Sequence, residues 1–162
     1  VTNWKTEQRS ALMQKITPCL WFDNQLEEAV NFYISVFPGS RIVEMNRNGD
    51  ELFTAWFQLA GNEFMGLNGG PVFAFTEAIS LFISCESQEE VDSYWKRLLS
   101  GGGSESQCGW LKDRYGLSWQ VIPTRLGELL GDPDRAKADR VMQAMLRMVK
   151  IDIAELERAA AD

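Results

Sequence analysis

The segment beginning at Ile16 resembles the one beginning at Ala78, a shift of 62 residues, and this internal repeat restricts the fold more than any other feature. Glu27-Glu28-Ala29-Val30-Asn31-Phe32-Tyr33 falls on Glu89-Glu90-Val91-Asp92-Ser93-Tyr94-Trp95, Val36-Phe37 on Leu98-Leu99, and Gly39 on Gly101. The paired aromatics Phe32-Tyr33 and Tyr94-Trp95 then turn the same bulky face inward at the same point of two helices. A chain repeating one strand-then-helix plan builds two similar halves.

The first half reads as a strand over Ile16 to Phe22 and an amphipathic helix over Gln25 to Phe37, stopped by Pro38-Gly39. Strands over Arg41 to Asn46, Glu51 to Leu59 and Glu63 to Leu67 follow, separated by the turn formers Asn48-Gly49-Asp50 and Gly61-Asn62. After the linker Gly69-Gly70-Pro71, the second half gives a strand at Ile79 to Cys85 and a helix from Gln88 to Leu99, broken by Gly101-Gly102-Gly103. Strands near Glu105 to Trp110 and Leu117 to Ile122 come next, with a short one around Leu111 to Arg114. The expected fold is therefore α+β, with βαβββ written twice.

Beyond Pro123 the pattern is purely helical. Asp132 is the expected N-cap of one helix, with Pro133 at its first position, and Asp152 with Glu155 forms a capping box for the last. Val141, Met145 and Met148 lie on one stripe, flanked by Met142 and Val149, a pattern of ordinary helix packing.

Composition narrows the function. The 162 residues fit one domain of ordinary size with 45% hydrophobic and 24% charged residues, a globular balance. No apolar run reaches the roughly 18 residues of a membrane span. Val1 to Leu12 is polar and lacks the apolar stretch of a secretory signal, so a cytoplasmic location and no membrane partner are expected. Met13-Gln14-Lys15 reads as a natural start, which leaves residues 1–13 as an extension with little order. A net charge of −7 repels phosphate backbones, so nucleic acid is not an expected partner. Cys19, Cys85 and Cys108 are far apart and read as buried thiols of a reducing compartment. The chain has no histidine.

Five stretches carry a family resemblance: Ile16-Thr17-Pro18-Cys19-Leu20-Trp21-Phe22, Ala29-Val30-Asn31-Phe32-Tyr33, Phe37-Pro38-Gly39-Ser40, Leu67-Asn68-Gly69-Gly70 and Cys108-Gly109-Trp110-Leu111-Lys112-Asp113-Arg114-Tyr115-Gly116. They resemble PhnB-like proteins, called 3-demethylubiquinone-9 3-methyltransferase-like, of the glyoxalase, bleomycin-resistance and dioxygenase (vicinal oxygen chelate) superfamily. Ser118-Trp119-Gln120 and the tail Ala144-Met145-Leu146 through Lys150-Ile151-Asp152 extend the likeness to about residues 14–160. The resemblance implies two βαβββ modules, residues 15–70 and 78–123 of a domain over 14–124, curving as a mixed sheet around a cup. Residues 125–162 become a C-terminal helical extension of the same domain, and the protein a homodimer.

Metal-using relatives supply His, Glu or Gln from two strands of each module. Here the superfamily's D-x-x-G-x-x-x-E signature matches Asp113 and Gly116 but then Gln120. The opening histidine position falls on or next to Pro18, its counterpart near Ser80, and Asn68 is the other polar candidate. Neutral oxygens suit a first-row transition metal poorly, so no metal and no cofactor is expected. The pairs Glu27-Glu28 and Glu89-Glu90 lie in first helical turns, where the helix dipole favours them structurally.

Three functions follow as expectations. The first is binding of a small aromatic or hydrophobic molecule in an apolar cup. If the repeat sets the strand faces, alternation lines that cup with Leu20, Phe22, Phe82, Ser84, Ser118 and Gln120, joined by Trp56, Met65, Asn68 and Trp110. The second is the methyltransferase of the family label, although no glycine-rich strand-to-helix turn for an adenosine-bearing methyl donor occurs. The third is a metal-dependent glyoxalase-type isomerase, lyase or dioxygenase.

Overall fold

The computed structural model describes residues 14–162, and the extension over residues 1–13 lies outside them. The backbone divides into two compact units, one up to Ala74 and one from Phe75 to Asp162.

In the first unit β1 (Cys19–Phe22), α1 (Leu26–Val36), β2 (Arg41–Asn48), β3 (Glu51–Leu59) and β4 (Asn62–Asn68) form a four-stranded sheet of order β1-β4-β3-β2. Strand β1 lies parallel to β4, and the remaining pairs are antiparallel. The expected strand at Ile16 begins instead at Cys19, although the Pro18 carbonyl already accepts from Met65 N at 2.9 Å. Helix α1 buries Leu26, Ala29, Val30, Tyr33 and Val36. Leu26, Val30 and Val36 each contribute about 1.5–3 kcal/mol by leaving water, so packing rather than propensity holds this short helix.

The second unit repeats the plan with β5 (Ser80–Cys85), α2 (Gln88–Leu99), β6 (Ser104–Glu105), β7 (Trp110–Lys112) and β8 (Ser118–Pro123), in order β5-β8-β7-β6. The predicted strand over Glu105 to Trp110 is interrupted. Cys108 and Gly109 adopt positive φ, 57° and 82°, and turn the chain so that Glu105 pairs with Leu111. Ser87 caps α2 through its hydroxyl, which accepts from Glu90 N.

Three helices complete this unit: α3 (Thr124–Leu130), α4 (Arg135–Met145) and α5 (Ile153–Ala161). The N-cap of α4 is Asp134 rather than Asp132, because Asp134 accepts from Ala136 N and Lys137 N. Asp132 instead receives Asp134 N and Lys137 Nζ and braces the approach. Asp152 caps α5 as expected, accepting from Glu155 N. Leu126, Leu129, Val141, Ala144, Met148, Ile151 and Leu156 close a separate apolar cluster with Met145 packed against it, while Met142 and Val149 are exposed. Two backbone bonds, from Cys108 N to Met148 O and from Gly109 N to Val149 O, fasten this extension to the β6–β7 turn.

Candidate functional site

Which face each strand residue occupies decides what it can contact. In the first unit Leu20 pairs with Gly66 and Phe22 with Asn68. A Cβ on Gly66 would fall 2.3 Å from Leu26 Cδ1, and Asn68 Oδ1 accepts from Leu26 N at 3.0 Å. Leu20, Phe22 and Asn68 therefore lie on the side covered by α1, and Phe22 is almost fully buried there. Their placement with Phe82 and Gln120 on one kind of face does not hold.

The cause is one residue of loop. Three residues connect β1 to α1 and only two connect β5 to α2. The helices align at the 62-residue shift, Tyr33 on Trp95, whereas the helix-facing strand residues align one step later, Phe22 on Cys85. Because side chains alternate with period 2, that step moves every β1 residue to the other face. Cys19 and Trp21 then share the face away from α1 with Met65, Leu67 and Trp56, through the pairs Cys19↔Met65, Trp21↔Leu67 and Trp56↔Met65.

Asn68 has a structural task. Gln25 makes no side-chain cap, and Asn68 replaces it by taking the Leu26 N–H while donating Nδ2 to Leu52 O at 2.9 Å. A polar hollow of about 580 Å³ next to it is lined in part by Asp23, Glu27, Asp50 and Glu51. Glu27 is already paired with Arg47 at 2.5 Å. Trp21 is fixed from three directions: Nε1 donates to Gly70 O at 2.9 Å, its ring occupies the space a Cβ on Gly69 would need, and Phe73 meets it edge-on at 5.0 Å.

In the second unit the helix side is marked by Trp95, whose Nε1 donates to Glu105 Oε1, the residue paired with Leu111. Leu111, Trp119, Val121 and Cys85 follow on that side, each with at most 2% exposure. The opposite face carries three rows across the strands: Lys112–Ser118–Ser80, then Trp110–Gln120–Phe82, then Ile122–Ser84. Phe82, Trp110, Ser118 and Gln120 thus share one face. Phe82 is 59% exposed in mid-strand, and Ile122 packs against the C-terminal apolar cluster.

Gln120 Nε2 donates to Ser80 Oγ at 2.9 Å, joining two of the positions that the sequence resemblance sets against metal ligands. Lys112 is paired with Glu77. The buried Asp113 is a structural anchor that sequence reading treated only as part of a signature. Its Oδ1 accepts from Tyr115 N and Leu117 N, and its Oδ2 from Trp119 Nε1 at 2.9 Å. Asp113 and Gly116 therefore fix the entry of β8. In the second unit an amide and a serine hydroxyl supply neutral oxygens rather than the imidazole, thiolate and carboxylate ligands that first-row metals favour. Among the described residues no three His, Cys, Asp or Glu side chains are grouped to hold a metal.

The cysteines differ more than expected. Cys85 is buried, and desolvation pushes its thiol up to about 12, whereas Cys19 is exposed and Cys108 intermediate.

Two βαβββ units, each with a parallel first strand closing an antiparallel triplet, define an α+β protein of two like modules. The profile of the 3-demethylubiquinone-9 3-methyltransferase family matches residues 14–122. A PhnB protein from Bacillus cereus, provisionally named a 3-demethylubiquinone-9 3-methyltransferase, is 37% identical, with a TM-score of 0.64 over 68% of this chain and 99% of that one. Protein PA1353 from Pseudomonas aeruginosa shares the fold at 20% identity, with a TM-score of 0.59 over 68% and 98%. No curated protein matches the chain. The chain belongs to the PhnB-like, 3-demethylubiquinone-9 3-methyltransferase family. The profile ends at residue 122, so the α3–α5 extension lies outside the matched region that the tail motifs suggested.

Proposed function

We propose that this protein binds a small aromatic or hydrophobic molecule on sheet faces turned away from the helices, without a transition metal. The carrying observation is the row Trp110–Gln120–Phe82, in which one amide stands between two aromatic side chains and the Phe82 ring is exposed in mid-strand. Exposed aromatic surface beside a few polar groups suits a planar ligand. Trp21, Trp56 and Met65 offer a similar surface on the first unit. Phe22 and Asn68, which serve the α1 side, take no part in this reading.

Titration with 2-naphthol, followed by tryptophan fluorescence before and after chelator treatment, tests the proposal. Saturable binding that survives chelation is expected. Loss of binding with the chelator, together with a stoichiometric transition metal in the purified protein, would overturn it in favour of metal-dependent isomerase, lyase or dioxygenase chemistry.

The methyltransferase reading rests on the family's description and on the name given to the Bacillus cereus relative. Methyl transfer needs a site for the adenosine-bearing donor. S-adenosylmethionine titrated against the same fluorescence supports that reading if it saturates.

A further inference from the structure

Helix α4 has two unlike sides. Its inner side buries Ala138, Val141 and Ala144, and Met148 continues that line into the C-terminal apolar cluster. On the outer side Met142, Leu146 and Val149 follow one another at helical spacing with 37%, 50% and 36% of their surface exposed. Leu146 keeps helical backbone as the C-cap, and its N–H still donates to Met142 O. Scattered exposed apolar residues are ordinary, whereas three on one line make a contiguous stripe of the kind that marks an interface. The stripe is also held in place. Asp134 caps the helix, the Arg140 guanidinium donates to the Ala159 and Ala160 carbonyls of α5, and Val149 O accepts from Gly109 N. A surface fixed beforehand loses little entropy on association.

The charges beside the stripe identify what covers it. A groove of about 330 Å³ along α4 is lined by Asp139, Gln143 and Arg147, with Ala159 of α5 on its far side. Asp139 and Arg147 are exposed and engage no opposite charge among the described residues. Two copies of α4 packed antiparallel about a twofold axis bring together residues that lie equally far from that axis on either side, and each contact is made twice. An axis at Gln143 and Ala144 sets Met142 against Leu146 of the second copy and Asp139 against Arg147 of the second copy. The midpoints of these two pairs, Ala144 and Gln143, are one residue or about 1.5 Å apart along the helix, which the long arginine side chain spans. Parallel packing would instead set Asp139 on Asp139 and Arg147 on Arg147.

From this we infer that the outer face of α4 is a self-association surface, on which a second copy of this chain packs antiparallel about Gln143 and Ala144. The surface lies on the extension beyond residue 122, where the family profile ends, and it is independent of the ligand-binding reading. An anionic lipid surface fits the face less well, because Asp139 stands within it and the chain carries −7. A pair of helices of 11 residues buries less than the ~1,200–2,000 Å² of a stable interface, so the association is reversible at micromolar concentration.

Analytical ultracentrifugation of the full chain over a concentration series tests the inference, with far-UV circular dichroism as the check on folding. A reversible monomer–dimer equilibrium is expected. Leu146→Glu places a charge on the stripe twice per dimer and should weaken association by about a hundredfold or more, with the helical signal kept. Asp139→Arg and Arg147→Glu each oppose like charges twice and should each weaken it about tenfold. Mixed in equal amounts, these two variants bring the new arginine of one to the new glutamate of the other and keep the pair of Asp139 with Arg147 at the second contact. The mixture should therefore recover the association that each variant alone has lost. A parent chain that stays monomeric up to roughly 100 µM, a dimer indifferent to Leu146→Glu, or a mixture that associates no better than its components overturns the inference. Each of those results leaves the ligand-binding reading standing.

Discussion

Replacing Asn68 with alanine leaves the Leu26 N–H and the Leu52 carbonyl without their partners, so the first unit loses the cap of its helix. A destabilisation of about 1–2 kcal/mol is expected from urea unfolding. Asp113→Ala should cost more, roughly 3 kcal/mol or above, because two backbone N–H groups and a buried indole lose one shared acceptor. Both residues were visible in the sequence as motif positions. Their tasks were not, because each acts on a partner the sequence does not pair it with: Asn68 caps a helix 42 residues earlier, and Asp113 reaches the Trp119 ring. The thiols give a chemical test at the same scale. With a thiol near 12, Cys85 at pH 8 holds thiolate at a level on the order of one part in ten thousand, so iodoacetamide should label exposed Cys19 and leave Cys85 intact in the native protein. Mass spectrometry of the labelled peptides reads the outcome.

Elements were more legible than faces. Helix α2 and strand β3 have the bounds their hydrophobic pattern predicts, since each pattern reports local periodicity. The phase of β1 against α1 depends on a three-residue loop, and the repeat alignment carries no information about a one-residue difference there. Residues Leu20 and Phe22 were misplaced for that reason, while Phe82, Trp110, Ser118 and Gln120 fell on a common face. Strand β6 failed for a different reason: Cys108, a non-glycine residue, takes a positive φ that its type does not advertise. The C-terminal elements are fastened by Gln88, which donates to Ile151 O and accepts from Ile153 N, and by the ion pair of Lys150 with Asp92. Lys150, followed by Gln88, holds the Asp92 carboxyl below the ordinary carboxylate range. A carboxylate lowered on folding adds stability that is complete above its unfolded-state value, near 3.9, and is lost as pH falls through the lower folded value. Lys150→Ala should therefore be less stable than the parent chain at pH 7, by the ~0.2–1 kcal/mol of an exposed pair, with the gap closing in acid below both values. Urea midpoints at pH 7 and in strong acid check the sign.

At the scale of the molecule, one βαβββ plan serves two unequal units, and among the described residues the second carries three added helices with a core of their own. Those helices meet Ile122, one row beyond Gln120, and so set one end of the proposed ligand face. Among the described residues no helix is long and apolar enough to cross a membrane. A homodimer is proposed from the habit of the superfamily, with sedimentation at micromolar concentration as its check, a monomer being the contrary result. Ligand binding on the faces away from the helices is the central claim, and the tryptophans report on it separately. Trp110 and Trp56 lie on those faces, whereas the Trp95 and Trp119 indoles donate to Glu105 and Asp113 on the helix side. The decisive measurement is a proton–nitrogen correlation spectrum of the indole groups during titration with 2-naphthol. The Trp110 signal, with or without Trp56, should move saturably while Trp95 and Trp119 stay in place; movement confined to Trp95 and Trp119, or no saturable movement at all, would contradict the account.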